Sequence, residues 1–162
     1  MIRFPRTALA PLILVTSVFL LGAGGAAAPV QTGAPLPAMV LKDQHDKPLS
    51  LTRDTRIVFV ATEMAASRMM AKALETLPAT ALKDRQAVYI ADISSMPQPI
   101  SSIVAMPKMR KLPYAVAVVQ HAADAAQLPR KPGAVTVLTA EGGTIRAIDF
   151  VQTPEAIGQY LK

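Results

Sequence analysis

Apolar and polar positions divide the chain into short runs separated by prolines, glycines and charged clusters. Residues 38–42 and 48–51 flank the polar stretch Asp43-Gln44-His45-Asp46-Lys47, which predicts a short hairpin with a polar turn. Residues 56–61 (RIVFVA) form a continuous β-branched and aromatic run, the pattern of a strand buried on both faces. A helix is predicted next, because Ala66, Met69, Met70, Ala73, Leu74 and Leu77 recur at i, i+3, i+4 spacing while Arg68, Lys72 and Glu75 fall opposite. Pro78 ends it, since proline has no amide hydrogen for the helical ladder.

The second half continues the alternation. Residues 87–93 (AVYIADI) predict a second apolar strand and 94–99 a Pro/Ser loop; 100–111 predict a helix that Pro107 must kink or restart. Residues 114–119 (YAVAVV) predict a third buried strand, and 122–128 a short helix. Residues 134–139 and 144–151 predict a hairpin across Glu141-Gly142-Gly143, whose glycines can take the positive φ of a tight turn. Thr153-Pro154-Glu155 opens the last helix with an N-cap, a proline at the first helical position and an acid where the helix dipole favours one. This order implies a mixed sheet covered by helices on both faces.

The N-terminal segment follows another logic. Arg3 and Arg6 precede an apolar stretch from Leu12 to Leu21 and then small residues, the three-part layout of a secretory signal peptide. As a helix that stretch spans ~15 Å, about half of a ~30 Å bilayer core. Cleavage after Ala27 is expected, which leaves 28–37 as an extended, proline-rich lead-in and 38–162 as the domain. The expected location is the periplasm. An uncleaved anchor is the alternative, and only through it would the chain meet a membrane.

Composition narrows the chemistry. At 162 residues with 51% apolar content, the chain can form one domain with a real core. It has no cysteine, which removes disulfides, a cysteine nucleophile, thiolate metal sites and covalent c-type haem. The net charge of +6 includes Arg3 and Arg6 and shows no concentrated basic stripe, so nucleic acid is not an expected partner. The glycines form neither a dinucleotide nor a phosphate-loop fingerprint, and no cofactor is expected.

Several segments resemble secreted thioredoxin-fold proteins of the redoxin type, related to the thiol-specific antioxidants and the cytochrome-maturation thioredoxins. Gly33-Ala34-Pro35-Leu36-Pro37, with the hairpin residues that follow, looks like the family's N-terminal hairpin. Lys131-Pro132-Gly133-Ala134-Val135 is similar to its cis-proline loop, and Ala140-Glu141-Gly142-Gly143-Thr144-Ile145 to its closing hairpin. Where redoxins read Ala-Thr-Trp-Cys-Pro-Pro-Cys, this chain reads Ala61-Thr62-Glu63-Met64-Ala65-Ala66-Ser67. The resemblance implies a thioredoxin-like three-layer α/β fold with an N-terminal hairpin extension. It also implies that Met64 stands at the nucleophile's place, Ser67 at the resolving place, and Pro132 at the cis-proline, with Pro113 the alternative.

A thioether cannot ionise, and a serine without a base is a far weaker nucleophile than a thiolate. His45 and His121 have no spacing that ties them to Ser67. A Cu(I) site among the methionines is the lesser reading of residues whose ordinary role is packing. The expected function is therefore a redox-inactive binding module at the degenerate active-site corner. Its surface would be Glu63, Met64, Arg130 and Lys131, carrying positive potential around an apolar patch, and its partner a periplasmic protein or a small anionic ligand. Lys108, Arg110 and Lys111 are expected to be a solvated helix end. The alternative is an oxidoreductase-type enzyme without cysteine chemistry, flavin- or metal-assisted, of the kind described as a FAD/FMN-containing dehydrogenase.

Overall fold

The apolar run after Arg56 becomes the strand β3 (Ile57–Ala61), in which Val58, Phe59 and Val60 are buried on alternate faces. Such a strand needs a layer on each side, and the rest of the chain supplies both. The computed structural model describes residues 28–162; the expected leader lies outside the described residues. The other strands are β1 (Val40–Asp43), β2 (Pro48–Ser50), β4 (Ala87–Asp92), β5 (Ala117–Val119), β6 (Val135–Glu141) and β7 (Thr144–Val151). They form one mixed sheet in the order β2-β1-β5-β4-β3-β6-β7. The pairs β3–β4 and β4–β5 are parallel, with Phe59 opposite Tyr89 and Ala61 opposite Ala91, and the remaining pairs are antiparallel.

Helical segments cover the two faces unequally. One core joins Phe59, Tyr89 and Val137 of the sheet to Met70 and Leu74 of α1 (Met64–Glu75) and to Ile157 and Leu161 in and after α5 (Pro154–Tyr160). The opposite core joins Val58, Ile90 and Leu138 to Met39, Leu41 and Leu51 of the N-terminal hairpin and to Ala125 and Leu128. On that side the helical cover is a single 3-10 segment, Ala122–Ala125. The amphipathic helix lies where the periodicity put it: Ala66, Met70, Ala73 and Leu74 are buried, and the helix ends at Glu75, ahead of Pro78. The last helix starts as expected, with the Thr153 hydroxyl oxygen accepting from Ala156 N at 3.2 Å. Between β6 and β7, Gly142 (φ 58°) and Gly143 (φ 80°) make the left-handed turn that a two-residue hairpin requires.

Three local features differ from expectation. The helix α2 (Ala81–Asp84), which buries Ala81 and Leu82 ahead of β4, lies in a stretch that no periodicity flagged. The expected helix over 100–111 is three joined pieces, α3 (Gln98–Ile100), a π-helical Ser101–Ala105 and α4 (Met106–Met109). The wide turn sits where an α ladder would set the Pro107 ring against the carbonyl of Ile103. The third strand is shorter than 114–119. Its expected first residues are held by the side chain of buried Gln44, whose Nε2 donates to Tyr114 O at 2.7 Å and whose Oε1 accepts from Val116 N at 2.8 Å.

Hydrogen bonds hold the lead-in to the rest of the chain. Gly33 N donates to Ile145 O at 2.8 Å, Leu36 N to Gly143 O at 2.8 Å, and Ile145 N to Ala34 O at 2.9 Å. Pro35 bridges Thr144, so these residues extend the sheet beyond the start of β7. Further back, Val30 N donates to Gln127 O at 2.9 Å. Among the described residues, no helix is long and apolar enough to cross a membrane.

Candidate functional site

The corner to which the residues pointed is the junction of β3 with α1. Glu63 is the N-cap in extended backbone (φ −136°, ψ 158°), but its carboxylate does not cap the helix. Instead Glu63 Oε2 accepts from Gly133 N at 3.1 Å, which fastens the head of α1 to the Lys131–Gly133 loop. The structure thus brings Glu63, Met64 and the Pro132 loop together. Among the described residues there is no cis peptide bond, so neither Pro132 nor Pro113 takes the expected cis form.

The positive potential expected at this corner is offset at Arg130 by a buried carboxylate, while Lys131 stays exposed with its charge. Arg130 Nη2 lies 2.9 Å from Oδ2 of Asp92, a carboxylate with 2% side-chain exposure at the end of β4. That oxygen has no aligned hydrogen-bond donor, so the contact acts through charge, while Asp92 Oδ1 accepts from Ser94 N at 2.9 Å. Arg130 also donates to Ala125 O at 3.2 Å. The Lys131 ammonium stands 5.7 Å from the Phe150 ring centroid, drawn over β7 by the ring's electron-rich face. Glu63 adds a negative charge at the loop.

Met64 opens in another direction. It is 52% exposed and forms one end of a cavity of about 390 Å³ bounded by α1, the Gln98–Met109 helical stretch and β4. Met96, Ile100, Val104 and Met109 line the cavity opposite α1, and Tyr89, Ala91 and Ile93 line it from the sheet side. Ser67 lines the same space beside the Tyr89 side chain. Burial holds the Tyr89 phenol far above its ordinary range, against which the neighbouring Ser67 works only weakly. Burial likewise raises Tyr114 at the far end, with the charge of Glu75 adding to it. Two phenols therefore stay protonated on the cavity wall at neutral pH, and neither serves as a base.

The charged lining is one-sided. Arg68 and Lys108 line the cavity from α1 and α4 respectively, and no Asp or Glu does. Lys108 is exposed in the last turn of α4, the solvated helix end that was expected, and it also borders the cavity. Arg110 is not free: it sits 3.6 Å from Asp46 and donates from Nε to Gln44 O at 3.0 Å. Sequence reasoning missed Tyr89, Met96 and Lys108 as neighbours of Met64. The one available signal was a tyrosine inside an otherwise aliphatic strand, whose hydroxyl must find a partner when buried.

Comparison with solved structures identifies the architecture. The thioredoxin domain of a thiol-disulfide oxidoreductase from Bacteroides vulgatus superposes with a TM-score of 0.52 at 13% identity, over 82% of this chain and 99% of that one. A peroxidoxin from Mycobacterium tuberculosis gives 0.53 at 14% identity, over 80% and 93%. A peroxiredoxin-like protein from Aquifex aeolicus gives 0.53 at 10% identity, over 84% and 88%. No family model and no curated protein matches the chain. The fold is thioredoxin-like, in a chain without a cysteine.

Proposed function

We propose that this thioredoxin-like chain is a redox-inactive binding module, exported to the periplasm, whose working surface is the old active-site corner and the cavity beside it. The observation that carries the reading is Met64, a half-exposed thioether at the head of α1 that lines a largely apolar cavity. Thioredoxin-fold catalysis requires an ionisable thiol at a helix head, and a thioether there can pack against a ligand but cannot attack a disulfide or a peroxide. Apolar lining with a few polar groups is the general character of a small-molecule or peptide site. The partner, a periplasmic protein or a small anionic ligand, would meet Met64 and the cavity rather than Arg130, which Asp92 already neutralises.

The test is an assay of the purified domain for insulin-disulfide reduction, bound metal and visible absorbance. No turnover and no chromophore are expected. Reductase turnover, stoichiometric copper or a flavin spectrum would overturn the reading in favour of the oxidoreductase alternative. Met64→Asp should in addition abolish retention of a bound partner with little change in melting temperature, since the side chain is half exposed.

A further inference from the structure

We propose that the cavity beside Met64 binds a single-chain aliphatic carboxylate, with its tail among the thioethers and its head between Arg68 and Lys108. The proposal rests on the binding-module reading and adds the chemical class of the ligand. Volume is the first consideration: about 390 Å³ lies within the ~300–1,000 Å³ of small-molecule sites. The walls come next. Met64, Met96 and Met109 are unbranched and adaptable, as a flexible chain of variable length requires, and Ile100 and Val104 keep substantial exposure with nothing packed over them.

Charge selects the head group. Among the described residues the ion pairs are those of Arg110, Arg130 and Arg146, and Arg68 and Lys108, like most of the other lysines and arginines, take part in none; what sets these two apart is that they line the cavity. These two cations line the same space from α1 and α4, and the lining itself holds no Asp or Glu, although the charge of Glu75 reaches Tyr114. A monoanion fits this pair, and an uncharged or cationic amphiphile leaves it unanswered. Apart from the two cations and the hydroxyls of Ser67, Tyr89 and Tyr114, the lining side chains are apolar, so the interior suits a hydrocarbon better than a sugar or a base. Finally, the wall that holds Val104 and Ala105 is the π-helical stretch Ser101–Ala105. Such turns recur at functional sites and shift register more readily than an α-helix, which suits a wall that adjusts to its ligand.

The chain has no tryptophan, and two of its three tyrosines line the cavity, so tyrosine fluorescence reports occupancy directly. The purified protein is titrated with octanoate, decanoate, decanol and decyltrimethylammonium, each kept below micelle formation. Saturable binding of decanoate is expected, about four-fold tighter per methylene added from octanoate. Arg68→Gln with Lys108→Gln should weaken decanoate at least ten-fold while leaving decanol unchanged. Ala71→Phe, which fills the cavity from α1, should weaken both, and thermal melts verify that each variant is folded.

Absence of saturable decanoate binding, equal affinity for decanoate and the ammonium amphiphile, or indifference to Ala71→Phe would each overturn the proposal. A tight apolar peptide ligand in the absence of decanoate binding would remove the ligand class and leave the binding-module reading intact. Thiol-disulfide turnover would remove that reading whatever decanoate does.

Discussion

Gln44→Ala should cost the fold about 2–4 kcal/mol, although the residue belongs to a polar hairpin turn. Gln44 is 1% exposed and its amide replaces two ladder bonds for the segment leading into β5. Val116 is 0% exposed, so truncation strands its N–H without water and incurs most of the ~1–3 kcal/mol charged to a buried unsatisfied group. The Tyr114 carbonyl belongs to a half-buried residue and recovers part of its loss from solvent, at the lower end of that range. The lost packing of the side chain brings the sum to about 2–4 kcal/mol, or a fall of roughly 10 °C in Tm for a domain of this size. Urea denaturation followed by far-ultraviolet circular dichroism measures it, with the m value unchanged. His45→Ala is the control: His45 contributes only its backbone N–H, to Asp43 Oδ1 at 2.7 Å, and should stay within about 0.5 kcal/mol of wild type. A Gln44→Ala variant equally close to wild type would refute the reasoning, because Tyr114 and Val116 would then have other partners.

The tyrosines set the alkaline limit. Burial raises all three, and in Tyr160 the hydrogen bond to Asp149 and the charge of that residue add to it. Folded values above the unfolded ~10 mean that the stability they carry is complete below about pH 10 and is lost as pH rises through the folded values. Ultraviolet titration of the folded protein should place the tyrosine midpoints above the ordinary one, and a normal titration would refute it. Arg130→Ala should cost roughly 2–3 kcal/mol in urea denaturation because it strands the buried Asp92 carboxylate. Asp92→Asn should cost less, since Arg130, at 36% side-chain exposure, can turn to water; the reverse order would count against the pairing. Met64→Cys with Ser67→Cys should confer measurable insulin reductase activity, because the head of α1 lowers a thiol's pKa. A folded double variant without activity would count against the correspondence of these positions to the redoxin thiols.

Where the chain's own punctuation decides structure, the sequence was readable. β3, α1, the closing hairpin and the Thr153 cap follow from apolar runs, periodicity, paired glycines and a capping hydroxyl, all local signals. The start of β5 was not readable because its competitor, the amide of Gln44, comes from about 70 residues earlier. The corner residues Glu63, Met64 and Pro132 could be placed because a strand, a helix head and a loop carried the resemblance. Their electrostatics could not: Arg130 and Lys131 look free in sequence, and only the fold sets Asp92 and Phe150 beside them. The cavity was hidden for the same reason. Met64, Tyr89, Met96 and Lys108 come from four segments, and three of the four have an ordinary reading as core or surface when seen alone.

The bound lead-in bears on the order in which the molecule can assemble. Its partners are among the most distant in the chain: Val30 waits for Gln127, and Gly33 and Leu36 wait for the β6–β7 turn. β1 likewise waits for β5. The parallel β3-α1-β4 unit can form from neighbours, but one flank of the sheet waits for β5 and the other for the C-terminal hairpin, and long loop closures of this kind slow folding. A chain shortened before Thr144 would leave Gly33 and Ala34 without Ile145 and Pro35 without Thr144, which ties the lead-in and the C-terminal hairpin into one cooperative unit.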